Sequence, residues 1–218
     1  MSESRGEDRR VRRTKGRLRG AIASLIHEKA YDAIAVKEIL ARADVGRSAF
    51  YTHFRDKDAL LVSALRESIR TTPLAGMPQR DPADVVLAFS LPFFQHVERT
   101  RAVDSHLSSP ERFAPVHACL RRVLADHVEG QLRRVPRERG APAVVVSDDL
   151  LAEHVAETFL RVLTWWVQHD ATCSPEQVDA VFLALTRPAL AARFDASYPE
   201  GSGPQGCRPR GAAARVRA

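Results

Sequence analysis

The sequence predicts an all-α protein, with an N-terminal three-helix unit of helix-turn-helix type followed by a larger helical domain. Three observations carry this reading. Apolar residues recur at helical spacing: Leu18, Ile22, Leu25 and Ile26 step by 4, 3 and 1, and Leu151, Val155, Phe159, Val162 and Trp166 by 4, 4, 3 and 4. No segment reads as a strand, since "AVVV" at 143–146 is too short and too isolated to pair into a sheet. A Pro/Gly-rich stretch, "TTPLAGMPQRDP" at 71–82, divides the chain into two unequal parts.

The elements follow in order. Residues 1–13 read as a charged arm, either a solvated tail or a segment that meets phosphates. Residues 1–20 hold seven Arg and one Lys against three acids, a net of +5, out of +6 for the whole chain. A first helix is expected from Thr14 to about Lys29–Ala30. "VKEILARA" (36–43) is a short helix with Ile39, Leu40 and Ala43 inward, and "DVG" (44–46) ends it. A second short helix runs from Arg47 to His53. Asp56 is placed to cap a connecting helix over 57–71, with Leu60, Leu61 and Leu65 as its buried stripe. Residues 14–56 then form the helix-turn-helix domain.

The second domain is expected over 83–195. Residues 83–100 are apolar but contain Pro92, which predicts a kink or a split there. Val116, Leu120, Val123 and His127 give a helical rhythm to 111–135, and 136–145 is a loop. Ser147 or Asp148 can cap a helix reaching His169, and Pro175 suits the first turn of a last helix, to 187 or beyond. Adjacent Trp165 and Trp166 lie about 100° apart on a helix, so that one can face the core and the other a partner or a pocket. Residues 196–218 are Gly, Pro, Ala and Arg with little apolar bulk and read as a disordered tail. Gly201, Gly203 and Gly206 spell GxGxxG there, but no strand precedes them and Pro204 lies inside, so a dinucleotide site is not expected.

Composition narrows the function. The basic residues are 29 Arg and 4 Lys, in a chain with a pI near 9.7, which favours acidic partners. Cys119, Cys173 and Cys207 are widely spaced and odd in number, which argues against a disulfide framework or a zinc site. The longest apolar run, "VVLAFSLPFF", is about half a membrane span. A soluble cytoplasmic protein without a membrane partner is expected. No GxSxG, HExxH or P-loop stands in the chain, so neither catalysis nor a cofactor is expected. His96, His106, His117 and His127 recur every ten or eleven residues, too far apart for a helical metal pair.

The helix pair over 36–53 divides into two faces. Ile39, Leu40, Ala43, Val45, Phe50 and Phe54 can pack inward, which leaves Arg47, Ser48, Tyr51, Thr52 and His53 on the open side. Arg47 can fork onto a guanine edge. Lys57 adds charge at a helix start where a phosphate can dock. Arg13, Thr14 and Lys37 complete the candidate DNA-binding set. "VKEILARADVGRSAFYTHFRDKDALL" closely resembles the DNA-binding region of TetR-family transcriptional regulators, most specifically in Phe50, Tyr51, His53, Phe54, Lys57 and Leu60. The similarity covers about residues 11–70. It implies DNA contacts at Arg47, Ser48, Tyr51, Thr52 and His53, and phosphate contacts at Tyr51 and Lys57. Three positions depart from the family pattern. Ala35 stands where Thr or Ser often caps the second helix, Asp44 stands where Gly is common, and Asp44 and Asp56 bring negative charge near the DNA-facing side.

The resemblance further implies a C-terminal ligand-binding and dimerisation domain, a homodimer on a palindromic double-stranded DNA operator, and repression released by a small effector. An apolar effector is expected, in a pocket formed by Phe89, Phe93, His96, Phe113, His117, Phe159 and Trp166. "FLRVLTWWVQHDATCSPEQVDAVFLAL" (159–185) resembles the last two helices of such regulators, which pair across a two-fold axis. Activation of transcription and a protein-binding adaptor remain the alternatives.

Overall fold

The computed structural model describes residues 2–70, 81–101, 110–135, 146–168 and 172–194. Among these there is no strand. The order is α1 (Ser2–Glu28), a 3-10 turn (Tyr31–Ala33), α2 (Val36–Ala43), α3 (Arg47–His53) and α4 (Lys57–Arg70), then α5 (Pro82–Leu87), α6 (Ser90–Arg101), α7 (Pro110–Arg134), α8 (Asp148–Gln168) and α9 (Pro175–Phe194). The tail at 196–218, the loop at 136–145, His106 and Cys207 lie outside the described residues, as do 71–80 of the expected break.

The N-terminal arm is corrected. Helix α1 starts at Ser2, not Thr14, and carries the arginine cluster on its own first turns.

Leu18, Ile22 and Leu25 of α1 pack with Tyr31, Ile34, Ile39, Phe50, Phe54 and Leu60 into one core. The second core centres on Phe159 of α8, whose ring lies 4.9 Å from Phe94, 5.2 Å from Phe93, 5.3 Å from Phe89 and 5.4 Å from Phe182. Such pairs add roughly 0.5–1.5 kcal/mol each beyond the area they bury. The two cores meet along α4 and α7. Val116 of α7 belongs to the N-terminal core, while Leu65 and Cys119 pack against both.

The break around Pro92 falls upstream of it. Helix α5 ends at Leu87 and α6 begins at Ser90, which places Pro92 in a first turn where its missing N–H leaves no bond unmade. At α9, Ser174 Oγ accepts the Gln177 N–H at 3.3 Å and Gln177 Oε1 accepts the Ser174 N–H at 2.8 Å, a reciprocal cap around Pro175. Arg193 closes the far end. Its guanidinium donates to both Asp148 carboxylate oxygens, at 2.8 and 3.2 Å, and to the Leu132 carbonyl at 3.0 Å, tying α9 to α8 and α7.

Candidate nucleic-acid interface and an adjoining cavity

The α2–α3 pair is held by short-range chemistry. Ala35 has no cap to offer, so Glu38 reaches back: its Oε2 accepts the Ala35 N–H at 2.9 Å while Oε1 pairs with Lys29. That lysine contact, with the Ala35 N–H, holds the Glu38 carboxyl below the usual carboxylate range. Helix α2 ends at Asp44, which adopts φ 50° and ψ 54°, a left-handed conformation that Asp tolerates better than most residues. Arg17 Nη2 donates to its carboxylate at 2.6 Å, across the gap to α1. Arg42 grips Glu28 with two bonds of 2.6 and 2.8 Å and Ser24 with a third of 2.6 Å, so the C-terminal end of α2 is moored to α1 twice over.

Helix α3 has barely two turns and sorts its side chains sharply. Phe50 is fully buried and Phe54 nearly so. Tyr51, between them, is 48% exposed and meets Phe50 edge-on at 5.1 Å. Arg47 and Ser48 are exposed, with the Arg47 guanidinium 5.6 Å above the Tyr51 ring. Thr52 is exposed, but its hydroxyl donates to the Ser48 carbonyl at 2.9 Å, which leaves it as an acceptor toward solvent. His53 is half-buried. Arg13 and Lys37 are exposed and Thr14 is half-buried. This surface offers a forked cation, two hydroxyl donors and an imidazole, the inventory that base edges and phosphates accept from.

Lys57 sits differently from the expectation of a phosphate contact. Its ammonium donates to the carbonyls of Tyr31 at 2.9 Å, Ile34 at 3.1 Å and Asp32 at 3.5 Å, and stands 4.4 Å from the Tyr31 ring centre. An ammonium has three protons, and its carbonyl partners are the 3-10 turn and Ile34, the residue that follows it. Lys57 is a clamp on the link between α1 and α2. Asp58 beside it accepts the Tyr31 hydroxyl, and Asp56 caps α4 through the Ala59 N–H at 2.7 Å.

Behind this domain lies a cavity of about 160 Å³ between α1, α4, α6, α7 and α8. Phe93, His96 and His117 line it, as expected from the sequence. Phe159 and Trp166 do not: both are wholly enclosed in the second core, where Trp166 Nε1 donates to the Cys173 carbonyl at 3.1 Å. Phe89 faces a different cavity, and the Phe113 side chain lies outside the described residues. Sequence reasoning missed Ile26 and His27 of α1 and Thr164 and Gln168 of α8, all of which line the first cavity. No spacing within the chain brings α1 beside α8; only the packing does. Burial pushes the His117 imidazole below its usual pKa, and burial together with the charge of Arg99 does the same for His96.

The other cavity, of about 450 Å³, opens between α4, α5 and α7. Its apolar floor includes Phe89 and Val123, and Arg66, Arg70, Arg134 and His127 contribute to its wall. Arg66 is bonded there to Asp126 at 2.9 Å. Trp165 of α8 and Val181 and Leu185 of α9 are apolar and exposed, Leu185 by 55%. Trp166, one step from Trp165, is 1% exposed. Among the described residues no group of His, Cys, Asp and Glu is arranged to hold a metal ion, and no helix is long and apolar enough to cross a membrane.

Comparison with known proteins puts a family beside this geometry. A family model for bacterial regulatory proteins of the tetR family matches residues 18–64, from α1 into α4. Among solved structures, a TetR transcriptional regulator from Streptococcus agalactiae is 22% identical over 84% of this chain and 98% of its own, with a TM-score of 0.48. A TetR regulator from a Rhodococcus species is 16% identical over 85% of this chain and 98% of its own, with a TM-score of 0.49. RolR, solved in complex with resorcinol, is 20% identical over 88% of this chain and 97% of its own, with a TM-score of 0.48. A search of curated proteins gives no match.

Proposed function

We propose that this chain, a transcriptional regulator whose DNA-binding domain is of the TetR family, acts as a ligand-responsive repressor that grips a palindromic operator as a homodimer. The observation that carries the DNA-binding face is the division of α3. Phe50 and Phe54 anchor it in the core, and Arg47, Ser48 and Tyr51 are left exposed beside them. Arg47 is the guanine-reading candidate; Ser48, Tyr51, Thr52 and His53 are the remaining contacts on α3, and Arg13, Thr14 and Lys37 the flanking ones. Two copies of α3 would enter successive major grooves about 34–36 Å apart. The exposed apolar residues of α8 and α9, Trp165, Val181 and Leu185, are the surface that would join the two copies.

Ligand response rests on the cavity beside α1. A molecule that fits it in only one arrangement of the two domains shifts the protein toward that arrangement, with a coupling on the order of 1–3 kcal/mol. No catalytic step belongs to this reading, and its place of action is the cytoplasm. The test is selection of bound sequences from a DNA library by the purified protein, with Arg47→Ala alongside. A palindromic motif that the variant loses is the expected result. Salt-sensitive binding with no enriched motif would overturn the reading.

A further inference from the structure

The cavity between the two domains has a definite size, chemistry and set of walls, and these specify more than that a ligand enters. Its volume, about 160 Å³, is close to that of an engineered cavity of roughly 150 Å³ that holds one benzene ring. Most of the wall is aliphatic or aromatic, and no Lys, Arg, Asp or Glu is among its lining residues. An ionised ligand would lose its hydration there with no opposite charge to meet it, at heavy cost. The wall is nonetheless not purely apolar. His27 from α1, His96 from α6, His117 from α7 and Gln168 from α8 contribute to it. A neutral imidazole carries one donor and one acceptor, and an amide carries both, so the walls can pair with a hydroxyl in either direction. Burial keeps His117 toward the neutral form.

The walls also belong to different bodies. Leu61, Ala64, Leu65 and Ser68 come from the connecting helix α4 and the rest from α6, α7 and α8, except for Ala23, Ile26 and His27, which come from α1. Helix α1 is the one element of the three-helix DNA-binding unit in the lining. It carries Arg17, which holds Asp44 at the end of α2, and Ser24 and Glu28, which hold Arg42 in the last turn of α2. A molecule lodged against Ile26 and His27 therefore touches the helix on which the α2–α3 pair is mounted.

We propose that this cavity binds an uncharged, single-ring molecule bearing a hydroxyl group, and that α1 reads its occupancy through direct contact at Ile26 and His27. The inference rests on the ligand-responsive reading above and adds to it a ligand class and the element that senses it. Such a ligand does not have to act first on the far end of the C-terminal domain. It sits at the joint.

The experiment uses the full chain and three probes of matched size: phenol, benzene and benzoate. Binding is followed by calorimetry, and operator affinity is measured with the DNA recovered by library selection. Ala23→Phe is the blocking variant, because Ala23 is exposed on α1 and lines the cavity; its melting temperature verifies that it folds. Phenol is expected to bind at least tenfold tighter than benzene, benzoate not to bind, and Ala23→Phe to lose phenol. Phenol should weaken operator binding at least fivefold, and His27→Ala should blunt that release. Equal phenol binding by Ala23→Phe, preference for benzoate, or phenol binding with unchanged operator affinity would each overturn the proposal. A set of larger amphipathic molecules, decanoate among them, separates the two levels. Operator release by decanoate with phenol inert overturns the ligand class and leaves the ligand-responsive reading standing. An operator complex indifferent to every compound in both sets removes that reading as well.

Discussion

Replacing Lys57 by Met separates two roles that its position in the chain allows. Methionine keeps the stem and removes the ammonium. Two carbonyls, at 2.9 and 3.1 Å, lose a charged donor, and the third at 3.5 Å is at the limit of a bond. Bonds of this kind contribute about 1.5–3 kcal/mol each when enclosed, and Lys57 is only half-buried, so the lower end applies. The contact with the Tyr31 ring adds about 0.5–1 kcal/mol. Partial replacement of the lost bonds by water leaves a net cost of about 2–3 kcal/mol. For a chain of this length that lowers the melting temperature by roughly 5–10 °C. A phosphate contact makes a different forecast: thermal stability intact, and the salt dependence of DNA binding reduced by about 0.9 in its logarithmic slope. Thermal melting and operator titrations at several salt concentrations therefore decide the matter together. An unchanged melting temperature with a reduced salt slope would refute the clamp.

Four further outcomes are expected. Arg47→Ala should weaken operator binding by about 1–3 kcal/mol and leave the melting temperature unchanged, because the side chain is exposed. Asp44→Gly should stabilise the protein by up to roughly 1 kcal/mol in denaturant titrations, since glycine accepts φ 50° freely and the lost Arg17 pair is largely solvated. Asp179 is buried and its carboxyl is pushed above the ordinary 3.8, chiefly by desolvation. The folded state therefore holds that proton more tightly than the unfolded chain, and this contribution is lost as pH rises from 3.8 through the raised value. Asp179→Asn should flatten that part of the stability–pH curve while keeping a partner for Ser90. Leu185→Lys, on the exposed face of α9, should shift the purified protein from dimer to monomer in sedimentation, and operator affinity should fall with it.

Much of the DNA-binding domain was legible in the sequence because its rules act over short distances. Phe50 and Phe54 are one helical turn apart and both turn inward; Tyr51 follows the first by one residue and turns out. The Asp56 cap needed only neighbouring residues. Other features depend on contacts the sequence does not encode locally. Lys57 reaches carbonyls 23 to 26 residues earlier in the chain, so its charge alone suggested a phosphate. Phe159 and Trp166 were read as pocket walls because aromatic residues suit either a wall or a core, and only the surrounding ring stack decides. His27 and Gln168 went unnoticed for the opposite reason: each is an ordinary polar residue near a helix end until α1 and α8 come together.

The unbroken length of α1 has a mechanical consequence. Its 27 residues span about 40 Å, with arginines on the first turns and His27 at the other end. From His27 to Arg13 is a lever arm of about 21 Å at 1.5 Å per residue. A tilt of about 5° at the His27 end swings the Arg13 end by roughly 2 Å. In the proposed homodimer a two-fold axis would double such a swing to at most about 4 Å between copies, comparable to the 3.4 Å rise of one base pair. A displacement too small to disturb the packing around the cavity is thus magnified, along a single helix, to the scale on which DNA counts.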